Sequence, residues 1–101
     1  MKKLLMTGTI LAASLIASST FAADIAAGKT KSATCMACHG PAGVSSNPMW
    51  PNLAGQQEAY LAKQIKAFKN GIRKDPLMAP MVAALSDVDV ANLAAYYSSL
   101  K

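Results

Sequence analysis

An all-α fold is what this sequence predicts, on three observations. Apolar residues recur at helical spacing over 60–68 and again over 90–100. No segment alternates apolar and polar residues as a half-buried strand does. Glycine and proline collect between the periodic segments, in the stretches 40–55 and 71–85.

The chain opens Met1-Lys2-Lys3, then runs apolar from Leu4 to Ile16 with Thr7, Gly8, Thr9 and Ser14 as the interruptions. The stretch Ser18-Ser19-Thr20-Phe21-Ala22 offers small residues before a cut after Ala22. This is the pattern of a secretory signal peptide over 1–22, removed on export to the periplasm. The apolar run is shorter than the ~20 residues that cross a bilayer, so no stable membrane insertion of the mature chain is expected. Residues 23–101 then form a single domain, small enough that a staple or cofactor commonly supplements its core.

Asp24 is placed to cap a first helix running toward Cys35, with Ile25, Gly28, Ser32 and Cys35 at helical spacing. A glycine inside a helix costs about 1 kcal/mol against alanine, and Gly28 reads as a close approach of another helix. His39-Gly40-Pro41 ends the element. Residues 40–55 form a loop in which Met49, Trp50 and Leu53 are apolar islands folded against a core. A helix over about 57–70 carries Tyr60, Leu61, Gln64, Ile65 and Phe68 on one face and Lys63, Lys66 and Lys69 outward. Asn70-Gly71 stops it. Residues 71–85 form a second loop, stiffened by Pro76 and Pro80 on either side of Met78. The last helix starts at Ser86, with Asp89 completing a capping box and Leu85 stapled onto Val90. Val90, Leu93, Ala94, Tyr97 and Leu100 make its buried stripe, and Tyr96 beside that stripe meets the first helix.

Within this frame stands Cys35-Met36-Ala37-Cys38-His39, the spacing of a c-type haem attachment site. Each thiol adds to one vinyl group of haem, giving two thioethers, and the histidine that follows is set under the iron as a ligand. A thioredoxin-like pair would want a βαβ context, and a zinc site would want four ligands where the chain has two cysteines and one histidine. A plain disulfide stays open but gives His39 no role. One covalently attached haem c per chain is the expected cofactor, with Trp50 packed at its edge. Arg73, just before the second loop's methionines, suits a haem propionate, or else faces solvent.

The formal charge of +5 falls to +3 without Lys2 and Lys3, leaving eight basic and five acidic residues. Two propionates bring it nearer neutrality. The basic residues are dispersed and no aromatic platform accompanies them, so no nucleic-acid binding is expected. A modest positive surface suits an acidic redox partner instead.

Across nearly all of 23–101 these residues resemble a small bacterial class I cytochrome c, similar to a monohaem cytochrome c-553 or one half of a dihaem cytochrome c4. The resemblance implies the class I fold around one haem, with Gly28 crossing the last helix at Tyr96. It implies that Pro51, in Pro51-Asn52-Leu53-Ala54-Gly55-Gln56, offers its carbonyl to the haem histidine's Nδ1–H. Tyr60 and the run Asn70-Gly71-Ile72-Arg73 also match in kind. The chain has one CxxCH where cytochrome c4 has two.

For the second axial ligand a thioether is the natural donor, since the single histidine is used. Met36 lies too close to His39, and Met49 stands in the proline-bearing segment on the histidine's side. Of the remaining pair, Met78 is expected on an extended stretch ahead of Pro80, while Met81 leads toward the last helix and packs into the core. The resemblance also selects Met78, the first methionine of an M-x-x-M segment. A haem iron held by His39 and Met78 has no open position, which implies a one-electron carrier between periplasmic redox proteins and no substrate chemistry. The alternatives are a dedicated subunit or partner of one periplasmic dehydrogenase or terminal oxidase, a peroxidase-like or gas-binding haem protein, and a haem-free disulfide protein.

Overall fold

Helix formation begins where the sequence supplies a cap. In the computed structural model, which describes Gly8 and residues 22–101, Asp24 is extended and its carboxylate accepts the Ala27 N–H at 3.1 Å. The leader expected over 1–22 lies outside the described residues apart from Gly8 and Ala22. Helix α1 spans Ile25–Lys31 and does not run on as an α-helix to Cys35. The Ser32 hydroxyl donates to the Lys29 carbonyl at 2.6 Å, a local bond that competes with the helical ladder. The chain tightens into a 3-10 turn over Ser32–Thr34, closed by Cys35 N–H to Ser32 O at 2.8 Å. It then re-forms one turn, α2, over Met36–His39, ended by Gly40 at φ 86°.

From Gly40 to Gln57 the backbone is irregular but stitched. The Gly43 carbonyl accepts from Leu53 at 2.8 Å and Ala54 at 3.0 Å, and the Asn52 side chain accepts from Ser45 N–H at 2.7 Å. Gly55 N–H reaches across to the Tyr97 carbonyl at 2.9 Å, tying this loop to the last helix. Helix α3 follows over Glu58–Lys69 and stops at Asn70 and Gly71. Lys69 swings its ammonium to the Leu85 carbonyl, linking the end of α3 to the entry of the last helix.

The second loop differs from the sequence expectation. Residues Met78–Val82 form a short helix, α4, so Met78 opens a helix rather than lying on an extended stretch. Pro80 is tolerated because it occupies the first turn, where backbone N–H groups have no helical acceptor anyway. The Asp75 carboxylate accepts from Leu77 N–H at 2.8 Å and Met78 N–H at 3.1 Å, and the Asp75 carbonyl takes Ala79 N–H at 3.0 Å. Met78 and Val82, four residues apart, share the inward face. Met81, expected in the core, lies beside that face and is 53 % exposed.

Helix α5, Asp87–Ser99, begins with the expected capping box: Ser86 Oγ accepts from Asp89 N–H at 3.1 Å and the Asp89 carboxylate from Ser86 N–H at 3.0 Å. Helix α1 packs across α5, and α3 packs against both α4 and α5. The core is Leu61, Val82, Leu85, Val90, Leu93, Ala94, Tyr96 and Tyr97, so α5 supplies most of it. No strand occurs among the described residues.

Candidate functional site

The core is closed on the α1–α5 side and open on the other. Between α2, the first loop, α3 and α4 lies a cavity of about 560 Å³, within the range of small-molecule and cofactor sites. Helix α2 brings Cys35, Cys38 and His39 to its wall, the first loop brings Trp50 and Pro51, α3 brings Tyr60, and Arg73 and Met78 complete the set. All eight residues singled out in the sequence therefore meet at one cavity.

Local structure sets each of these side chains. Cys38 and His39 hang from one helical turn whose carbonyl at Cys35 accepts both their N–H groups, at 3.3 and 2.9 Å. The two thiols are free and half-buried. His39 is buried, and its Nδ1 lies 2.8 Å from the Pro51 carbonyl oxygen. A carbonyl can only accept, so Nδ1 carries a proton, and in the neutral ring the lone pair is then on Nε2. Met78 is half-buried against the core, and the N–H groups of Met78 and Leu77 hold the Asp75 carboxyl below its ordinary range. Arg73 is exposed at the rim: its Nη1 donates to Gln64 Oε1 at 2.9 Å and its guanidinium stacks 4.6 Å over the Phe68 ring. Tyr60 is 46 % exposed, and Trp50 is partly buried.

Three of the other lining residues have roles that the sequence did not show. Asn52 holds the loop that presents Pro51, which its place beside a proline did not reveal. Gln64, read as part of the apolar face of α3, turns out to brace Arg73. Tyr97, read as core, also lines the cavity, and its buried hydroxyl has no hydrogen-bond partner among the described residues.

The donor set tests what the cavity can hold. Among the described residues no three His, Cys, Asp or Glu side chains converge, so a tetrahedral divalent ion lacks ligands. One imidazole with its Nε2 available, one thioether and two thiols around a largely apolar space fit a covalently attached haem.

The sequence model of the family described as cytochrome c matches residues 25–101. The cytochrome c-554(548) of Halomonas halodenitrificans is 52 % identical over 81 residues, covering 77 % of this chain and 98 % of that protein. The cytochrome c4 of Pseudomonas aeruginosa is 49 % identical over 79 % of this chain, which spans 40 % of it. The crystal structure of reduced recombinant cytochrome c4 from Pseudomonas stutzeri superimposes with a TM-score of 0.76 at 45 % identity, over 79 % of this chain and 47 % of that one. The chain belongs to the cytochrome c family, with the all-α class I fold and covalently bound haem c of an electron carrier. It spans nearly all of the c-554(548) but less than half of each cytochrome c4.

Proposed function

We propose that the chain is a periplasmic one-electron carrier between redox proteins, exported by a leader over 1–22 that is then removed. Haem c supplies, when bound, an iron that cycles between Fe(III) and Fe(II). Cys35 and Cys38 would fasten it through their sulfurs, and His39 and Met78 would hold its iron. The observation that carries this reading is His39 Nδ1 at 2.8 Å from the Pro51 carbonyl, on the same cavity as both cysteines and Met78. That bond fixes the tautomer, turns the ring and makes Nε2 a stronger donor. The methionine sulfur favours the reduced state and raises the potential. An iron held by both His39 and Met78 would leave no site for a substrate, which supports a carrier rather than an enzyme.

Partner docking follows from the cavity's solvent edge. Met49 is 80 % exposed, Leu77 62 % and Met81 53 %, and all three line the cavity. An apolar rim of this kind, with Arg73 beside it, suits brief contact with another redox protein. Among the described residues no helix is long and apolar enough to cross a membrane.

The test is the absorption spectrum and intact mass of the protein purified from a periplasmic fraction. Colour that stays on the polypeptide through acid–acetone, a mass of residues 23–101 plus one haem, and a six-coordinate low-spin ferric spectrum are expected. Haem that extracts completely, or a high-spin ferric iron, defeats the reading.

A further inference from the structure

The Tyr97 hydroxyl is a buried polar atom with no hydrogen-bond partner among the described residues. Its residue is 3 % exposed and closely held. The ring stands 5.1 Å from that of Tyr96, and a β-carbon on Gly43 would lie 3.0 Å from its Cδ1. The Tyr97 carbonyl also anchors Gly55 at 2.9 Å. A phenylalanine would fill the same space without an unpaired hydroxyl, so packing alone gives no account of the oxygen.

Cys35 packs against the buried cluster that contains Tyr97. Burial pushes both the Tyr97 phenol and the Cys35 thiol upward, and each acts on the other, with Ser32 a further influence on the phenol. The Ser32 hydroxyl has already spent its proton on the Lys29 carbonyl at 2.6 Å. Tyr97 and Cys35 line the same cavity. A free thiol has both a hydrogen to donate and lone pairs to accept with, whereas a thioether sulfur has lone pairs alone and can only accept. Attachment at Cys35 would thus remove the competing S–H and leave the neighbour of an unused donor as an acceptor alone.

We propose that the Tyr97 hydroxyl donates to the Cys35 sulfur once that sulfur is the thioether of the attached haem, making Tyr97 a positioning residue that tunes the redox equilibrium. The inference rests on attachment at Cys35 as set out above. The positive end of the O–H dipole then points at the haem edge. It stabilises the more negative Fe(II) state and raises the midpoint potential.

The experiment is potentiometric titration of the haem-loaded parent, Tyr97→Phe and Ser32→Ala proteins, with thermal midpoints and acid–acetone treatment alongside. Tyr97→Phe should shift the potential downward and lower the thermal midpoint, while Ser32→Ala leaves the potential in place. An unchanged potential in Tyr97→Phe overturns the proposal. So does an equal shift in Ser32→Ala, which would make the serine oxygen the acceptor. A parent protein that gives up its haem to acid–acetone fails the attachment reading itself, separately from anything about Tyr97.

Discussion

Gly28 of α1 faces the backbone carbonyl of Asn92 on α5 so closely that a β-carbon there would stand 2.1 Å from the oxygen and 2.8 Å from Tyr96 Cβ. The same carbonyl-bearing residue turns its side chain to the start of α1, where Asn92 Oδ1 accepts Asp24 N–H at 2.8 Å. The crossing of the two terminal helices is therefore fixed by a close approach at one point and a hydrogen bond one turn away.

Gly28→Ala sets two effects against each other. Alanine gains about 1 kcal/mol of helix propensity. The clash is with backbone, which cannot swing aside as a side chain can, and overpacking of this kind costs about 1–3 kcal/mol or more. The clash wins, and the variant should lose roughly 2 kcal/mol, a fall of about 8–16 °C in thermal midpoint for a domain this size. A midpoint at or above the parent's would show that the helices can separate without loss.

How much of this was legible in the sequence depended on whether a residue's role was local. Ser86 and Asp89 cap their helix through bonds three residues apart, and the S-x-x-D spacing displays that directly. Gly28 suggested a close approach over a mere surface defect, because a glycine inside a helix costs stability, and the Asn92 carbonyl beside it bears that out. Asn92 did not announce itself, since its partner Asp24 is 68 residues away. Helix α4 was missed for a different reason: Pro80 reads as a helix breaker until its place in the first turn is known. The eight residues that line the cavity together were singled out by the CxxCH signature, by the placing of Trp50 and Arg73 in their loops, by elimination among the methionines and by the family resemblance. The unpartnered Tyr97 hydroxyl, by contrast, exists only in the packed structure.

Arg73 is held at the cavity rim by Gln64 and Phe68, which leaves most of its five N–H donors free for an anion. A positive charge there favours the reduced, more negative haem. Arg73→Gln should lower the midpoint potential, by less than about 1 kcal/mol equivalent because the site is exposed and screened. Redox titration at low and high salt checks it, with the difference shrinking as salt rises. Equal potentials in parent and variant would leave Arg73 as a brace on the end of α3.

Acid should loosen the start of α5. The Ser86 backbone N–H, helped by the Ser86 hydroxyl and by Lys31 at 3.5 Å, holds the Asp89 carboxyl below its ordinary value of 3.8. A carboxyl depressed on folding contributes stability that is full above its unfolded value and disappears as pH falls through the folded one. Asp89→Ala should therefore be less stable than the parent at neutral pH. The two should converge below about 3.8, as the parent's carboxylate is protonated and its capping bond is lost. Thermal midpoints from neutral to strongly acidic pH test this, and a gap that persists unchanged into acid would remove the carboxylate from the account.

The choice of axial ligand separates the two methionines of α4 most sharply. Met78 opens the helix on the inward face, half-buried against the core and pinned by the Asp75 carboxylate at its own N–H. Met81 lies one turn on, at 53 % exposure, so it can cover the cavity's edge but is not clamped at its backbone in the same way. Met78→Ala should abolish the weak far-red sulfur-to-iron band of the oxidised protein and lower the midpoint potential. It should also cost about 2 kcal/mol of packing, near the low end for a half-buried methionine. Met81→Ala should keep the band and the potential and cost under about 1 kcal/mol, because an exposed side chain has little packing to lose. The stability half of this comparison follows from α4 being a helix; were the segment extended, with Met81 turned into the core, the larger loss would fall on Met81. Band and stability thus give independent readings of the same pair. A band that survives the loss of Met78 and vanishes with Met81 would move the ligand three residues along the chain.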